Sequence, residues 1–463
     1  MTRDPMRVMV VFGTRPEAVK LAPIIRALDT CSHFDTFVVV TAQHREMLDQ
    51  VTQLFGITPD VDLDLMRPRQ ALSDIASRAL LGLEKAIGSQ RPDFLVVQGD
   101  TTTTLMGALA AHYQQVPVVH VEAGLRTFQR YSPFPEEMNR RLTSSLTSLH
   151  LAPTPSSREN LLREGVDQAA VAVTGNSVID ALLWTVGRRF AGYDDSALAN
   201  LDDNRRNVLL VTAHRRESWG ERLASVGRAL ARLAHEESEL LIVLPIHRNP
   251  VVREALLPLL AGLDNVVVTE PLGYGDFARL LNRSHLVLTD SGGVQEEAPS
   301  LGKPVLVMRD DTERPEGVIA GTARLVGTNE NEIVDAVTEL LRDSQAYGRM
   351  SSSVNPYGDG HAAERSVAAM MHYAGLGPPA EQFGLSLTST CVDRSRALGP
   401  ASMASDSERC VRQSHLNPSQ GPDTACDSSD RTPSCRALRS SGRTTGDSHE
   451  VHNKDGRGGA LRS

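Results

Sequence analysis

Short runs rich in Val and Leu recur through most of this chain, and they do not alternate with polar residues. Five come first: VMVVF (8–12), TFVVVTA (36–42), DFLVVQGD (93–100), VPVVHVEAG (116–124) and LHLAPT (149–154). Seven more come after them: VAVTG (171–175), NVLLVTAH (207–214), LLIVLPIH (240–247), NVVVTEP (265–271), HLVLTDSGG (285–293), PVLVMRD (304–310) and ARLVG (323–327). A strand with one face in water alternates. A strand covered on both faces does not, and such strands belong to parallel sheets. Helical spacing fills the gaps, as in RPEAVKLAPIIRALD (15–29) and ERLASVGRALARLAHEE (221–237). Strand and helix in alternation make an α/β fold. Twelve strands are many for one sheet. Two doubly wound domains are therefore expected, over 1–175 and 176–360, separated by the turn-rich stretch near 155–206. A last helix over 361–375 should pack back on the first domain.

Residues 376–463 differ from the rest. They hold 15 serines and no aromatic residue after Phe383. Such a segment buries too little apolar surface to offset its ordering entropy, so a disordered tail is expected. Four of the five cysteines lie in it, at 391, 410, 426 and 435, leaving only Cys31 in the body. No disulfide framework and no Cys-x-x-Cys zinc pair is expected. The chain has no apolar stretch of membrane-spanning length. Its N-terminal apolar run is too short for a signal peptide, so a cytoplasmic location is expected. A net charge of -9 argues against general nucleic-acid binding but permits a local anion pocket.

In doubly wound folds, ligands bind outside the carboxyl ends of the strands. Nearly every polar cluster here sits there. GTRPEAVK (13–20) sets Arg15 and Lys20 at a helix start, where amide N–H groups face either an anion or only solvent. It is neither a P-loop nor a G-x-G-x-x-G fingerprint. TDSGGVQEE (289–297) offers Ser291, Gly292 and Gly293 at a second helix start. Gly-Gly lets a backbone approach a diphosphate, and Glu297 one turn on suits a ribose diol; the bland alternative is an N-capping serine. Arg314 comes after another strand end. Asp100 either caps the helix after it or aims into the cleft, and His214 ends its own strand. In HVEAGLRTFQRYSPFPEEMNRR (120–141), prolines and a glycine hold Glu122, Glu136 and Glu137, with Glu137 assigned to structure. No cluster at metal-ligand spacing and no G-x-S-x-G elbow occurs. Carboxylates and a histidine remain for acid–base work beside a cationic pocket, which suits chemistry on a nucleotide-linked substrate.

The stretches FGTRPEAVK, TAQHREMLDQ, GDTTTT, HVEAGLRT, SPFPEEMNR, TGNSVIDAL, TAHRRES, TDSGGVQEEAPSLGKPVLVMRDDTERPEG and NPYGDG occur in order over about residues 6–374. Together they resemble the bacterial non-hydrolysing UDP-N-acetylglucosamine 2-epimerases. The resemblance implies a glycosyltransferase-B-like fold of two Rossmann-like domains facing across a cleft. It implies interconversion of UDP-GlcNAc and UDP-ManNAc by a homodimer with no cofactor and no metal. The route implied is elimination of UDP to a 2-acetamidoglucal, then re-addition. It draws the proton-moving groups from Asp100, Glu122 and Glu136, with His214 near the phosphates. Arg15, Lys20, Arg314 and Ser291–Gly293 would hold the diphosphate, Phe277 the uracil and Glu297 the ribose. Gln43, Arg69, Gln70, Arg215 and His247 are implied at an activator site for a second UDP-GlcNAc. The alternatives are a hydrolysing 2-epimerase, a sugar transferase and a nucleotide-sugar sensor. The RPRQ and SPFPEEMNR stretches favour the non-hydrolysing type, and the candidate carboxylates favour an enzyme over a sensor.

Overall fold

The computed structural model describes residues 4–42, 45–67, 70–189 and 192–384. Two parallel sheets account for all its strands. The first holds β1 (Met6–Phe12), β2 (Phe34–Val40), β3 (Val61–Asp62), β4 (Phe94–Gln98), β5 (Val118–Val121), β6 (Leu149–Ala152) and β7 (Val171–Val173), in spatial order 3-2-1-4-5-6-7. The second holds β8 (Asn207–Thr212), β9 (Leu240–Pro245), β10 (Val266–Thr269), β11 (Leu286–Thr289), β12 (Val305–Val307) and β13 (Ala323–Leu325), in order 10-9-8-11-12-13. Both sheets reverse direction of winding once, between β1 and β4 and between β8 and β11. Those switch points are where a doubly wound sheet opens a crevice.

The missing alternation has a direct cause. In β1, Val8, Val10 and Phe12 pack in one core while Met9 and Val11 pack in another, and all five are fully buried. In β8, Leu209 and Val211 face one layer while Val208 and Leu210 face the other. Each strand is thus apolar on both faces because helices cover both. The run VAVTG (171–175) supplies the outer strand β7 of the first sheet, within the stretch 1–175 expected for the first domain. The two-residue β3 has no apolar run and leaves no signal in the sequence.

The helix Ser177–Val186 joins the two halves. Its Val178, Ile179 and Ala181 pack in the first core and its Leu182 in the second. The helix Ala362–Tyr373 returns Ala363, Val367 and Met370 to the first core. Asp180 accepts the amides of Ala362 and Ala363 at 3.2 and 2.8 Å, tying the start of that last helix to the connecting one. The ordered body runs past the boundary expected at 375. Gln382 Oε1 accepts from the Val173 amide at 2.7 Å, the Phe383 amide donates to Val173 O at 2.8 Å, and Arg365 lies over the Phe383 ring. This segment pairs with β7, so it belongs to the fold; the remainder of the expected tail, 385–463, lies outside the described residues. No helix among the described residues is long and apolar enough to cross a membrane.

Candidate active site

The end of β1 turns at Gly13, where a Cβ would come within 2.1 Å of Thr41 Oγ1 and 2.6 Å of Thr103 Oγ1. Only glycine fits so close an approach. The helix Arg15–Thr30 starts there, and the two amides just before it, those of Gly13 and Thr14, are engaged by its own first turn. Buried Glu17 accepts from Gly13 N at 3.0 Å, Thr14 N at 2.7 Å and Thr101 Oγ1 at 2.7 Å. The Gly13 and Thr14 amides therefore face neither an anion nor solvent. Glu17 is an internal cap, and burial raises its pKa. The positive charge at this strand end is carried by side chains. Arg15 reaches across to Leu272 O at 3.4 Å, and Lys20 Nζ lies 2.5 Å from Glu122 Oε1.

Glu122 comes directly after β5 with φ of +63°, in the left-handed region that costs a non-glycine residue about 1–3 kcal/mol. Its surroundings hold it there. Besides Lys20 it accepts from Gln98 Nε2 and, at 3.0 Å, from Asn176 Nδ2. Burial pushes its pKa up, but Lys20 and then Arg314 and Asn176 reverse this and hold it below the usual carboxylate range. Asn176 Nδ2 also donates to Glu296 Oε2 at 3.0 Å, and Glu296 pairs with Arg314. Glu296 and Asn176 were missed by sequence reasoning. The consecutive carboxylates in GGVQEE were the available signal, since neighbours on a helix point in different directions.

Asp100 does not cap the helix after it; Thr101 does, accepting from Thr104 N at 3.1 Å. Asp100 pairs with Arg140 instead. Burial raises its pKa; Arg140 opposes this, and the nearby charges of Glu122 and Glu136 add to it. Glu136 is the first residue of the helix Glu136–Leu146 and is half-buried. Fully buried Glu137 accepts from Thr127 N and Phe128 N at 3.1 and 3.2 Å, which fixes the loop before it.

On the second sheet, Asp290 at the end of β11 accepts from the backbone of His214 and Arg215 at 2.7 and 2.8 Å. Its other oxygen lies 2.9 Å from His214 Nδ1 and so orients the imidazole. Burial raises the Asp290 pKa, and these contacts more than offset it. Ser291 stands at the start of the helix Gly292–Glu297 without capping it, so the helix does not use its hydroxyl. A Cβ at Gly292 would sit 3.8 Å from an Arg215 guanidinium nitrogen and 3.9 Å from Arg314. Two guanidinium groups therefore flank that turn. Glu297 is buried beside Tyr274, and burial, with Glu296 adding, pushes its pKa up to about 8.

A cavity of about 690 Å³ lies between the two sets of strand ends. It brings together Arg15, Lys20, His214, His247, Phe277, Ser291, Gly293, Glu297 and Arg314, with Gly292 in the same turn. Asp100, Glu122 and Glu136 do not line it; Glu122 meets its wall directly through Lys20 and, by way of Asn176, through Glu296. Of the implied activator set, His247 lines the cavity with its ring 6.1 Å from that of His214. Arg215 reaches Glu313 at 3.5 Å, and Gln70 accepts from Arg78. Gln43 and Arg69 lie outside the described residues. Among the described residues no group of His, Cys, Asp and Glu is placed to hold a metal ion.

Residues 26–371 match the family model for UDP-N-acetylglucosamine 2-epimerase. The chain is 53% identical over 373 residues to the UDP-N-acetylglucosamine 2-epimerase of Yersinia pestis, covering 80% of this chain and 99% of that one. The solved UDP-GlcNAc 2-epimerase of Neisseria meningitidis, bound to UDP-GlcNAc, is 46% identical with a TM-score of 0.73, covering 79% of this chain and all of that one. A glycotransferase of kitacinnamycin, 16% identical with a TM-score of 0.53 over 81% of this chain and 100% of that one, shares the fold alone. The architecture is thus glycosyltransferase-B-like.

Proposed function

For a chain that belongs to the UDP-N-acetylglucosamine 2-epimerase family, we propose that it interconverts UDP-GlcNAc and UDP-ManNAc without hydrolysis, by eliminating and re-adding UDP. The observation that carries the reading is the placement of a buried, ionised carboxylate, Glu122, against the wall of a cavity lined by Arg15, Lys20, Arg314 and His214. A base and an anion pocket then share one wall.

The sugar C2 proton is not acidified by a carbonyl. It leaves readily only as the anomeric C–O bond breaks, and that requires the departing diphosphate to be stabilised. Fixed cations in a water-poor cleft supply this most strongly where charge develops. Arg15, Lys20 and Arg314 take that role, with the free Ser291 hydroxyl and the Gly292–Gly293 turn. Phe277 stacks on uracil and Glu297 takes the ribose. Glu122 accepts the C2 proton, the C1–O electron pair leaves with UDP, and a 2-acetamidoglucal remains. UDP oxygen then attacks C1 while C2 gains a proton on its other face. Environments that push two carboxyl groups apart divide the labour. Glu122 is held ionised and serves as the base, while Asp100, raised by burial, carries the returning proton. Glu136 sits close enough to bias Asp100. His214, oriented by Asp290, faces the phosphates. In reverse the two carboxyl groups exchange roles.

The reading includes a homodimer in the cytoplasm and substrate activation through Gln43, Arg69, Gln70, Arg215 and His247. Incubation with UDP-GlcNAc in deuterated water tests the chemistry: UDP-ManNAc should form with deuterium at C2. Free ManNAc as the first product would favour the hydrolysing enzyme instead. Activation predicts a sigmoidal rate from UDP-ManNAc that traces of UDP-GlcNAc make hyperbolic.

A further inference from the structure

Asn176 touches a carboxylate from each half of the site. Its Nδ2 donates to Glu122 beyond β5 and to Glu296 on the helix of the second sheet, both at 3.0 Å. The two carboxylate oxygens therefore lie within about 6 Å of each other, where like charges in a buried place oppose ionisation strongly. Each carboxylate has its own cation on the cavity wall, Lys20 for Glu122 and Arg314 for Glu296. The result is a continuous chain from Lys20 to Glu122, Asn176, Glu296 and Arg314, running from the base to the diphosphate-binding guanidinium.

The bland role of Asn176 is to cap the connecting helix, since its Oδ1 accepts from Val178 N at 3.1 Å. That role uses only the oxygen, and serine or aspartate would cap as well. The amide nitrogen is left over, and both its N–H groups go to the carboxylates. The side chain cannot swing away, because it is buried and its backbone amide is fixed to Tyr357 O at 2.7 Å.

We propose that Asn176 is a positioning residue of the reaction: its amide clamps the Glu122 and Glu296 carboxyl groups to each other across the junction of the two sheets, which keeps Glu122 placed as the base and Arg314 aimed at the diphosphate. This rests on the assignment of Glu122 as the base. The titratable neighbours of Glu122 are Lys20, Asp100, His120 and Arg314. The titratable neighbours of Glu296 are Arg314, Lys20, Glu297 and Tyr357. Without the amide, Glu122 loses one of the groups that hold its pKa down and faces Glu296 with no donor between them.

The test uses the full chain with Asn176→Ser and Asn176→Asp, both of which keep the helix cap. Deuterium exchange at C2 and kcat/KM are measured against pH. Asn176→Ser should lower kcat/KM at neutral pH on the order of ten- to a hundredfold, the size of losing a hydrogen bond to a charged group. The acid limb of its profile should move up by about one pH unit, with little change in thermal midpoint. Asn176→Asp, which adds a third carboxylate, should move the limb further. An acid limb that coincides with the wild-type one would overturn the proposal, whatever the fall in rate. So would failure of both variants to fold, because the amide would then be structural. Absence of deuterium at C2 with the wild-type chain would instead defeat the epimerase reading itself.

Discussion

The two sheets prepare their strand ends in opposite ways. At the first sheet, the carboxylates are already engaged by the protein. Glu17 holds two amides and a hydroxyl, Asp100 holds Arg140, and Glu122 holds Lys20, Gln98 and Asn176. At the second sheet, groups are oriented but left open toward the cavity. Ser291 stands at a helix start without capping it, and His214 is aimed by Asp290 while its ring stays partly exposed. A group that must change protonation at a set point needs a fixed internal environment. A group that must grip a ligand needs free donors. On the proposed reading, the engaged carboxylates of the first half serve proton transfer, while the open groups of the second half hold the nucleotide together with Arg15 and Lys20.

That division breaks most visibly at Glu122. Glu122→Gln should lower kcat about a thousandfold, the middle of the range for losing a general base, while UDP still binds by calorimetry. If UDP binding falls equally, the division is wrong. Arg314→Ala should cost about a hundredfold in kcat/KM and weaken UDP itself, as expected for losing one preorganised donor to developing charge. Asp290→Asn should cost about tenfold, because the imidazole of His214 loses a charged partner; a wild-type rate would show that orientation by Asp290 is idle.

Glu297 sharpens the comparison through pH. In the folded protein it titrates near 8, and in the unfolded chain near the ordinary carboxyl value. Between those values the unfolded chain sheds its proton and the folded one keeps it. Stability should therefore fall as pH rises through that window and be flat below it. Glu297→Gln should flatten the dependence in denaturant titrations run at about pH 5 and pH 8. A smaller effect marks the C-terminal edge of the first half. Ending the chain after Gly384 should leave the thermal midpoint unchanged, whereas ending it after Gly375 should cost about 1–2 kcal/mol through the bonds of Gln382 and Phe383 to β7.

Parallel strands and their covering helices were legible because burial on both faces writes itself as uninterrupted apolar runs. The strand-end clusters were legible because a doubly wound sheet puts its loops where ligands bind. Arg15, Lys20, Phe277, Ser291, Glu297 and Arg314 do meet in one cavity. Other features left no local mark. β3 is only two residues long, and the bond of Gln382 to β7 joins positions 209 residues apart in sequence. Glu17 also left no local mark, since its carboxylate closes the turn at Gly13 and Thr14 only where the helix start meets Thr101.

The sequence alone determined which residues carry charge, where each strand ends and hence which loops face the crevice, because those depend on periodicity over a few neighbours. Only the tertiary structure decided which charges meet. Lys20 and Glu122 are 102 positions apart, and Asn176 and Glu296 are 120 apart. The ionisation state of a buried carboxylate depends on partners within a few ångströms. That is why burial raises the pKa of Asp100 and of Glu17, while Lys20 holds that of Glu122 below the usual carboxylate range.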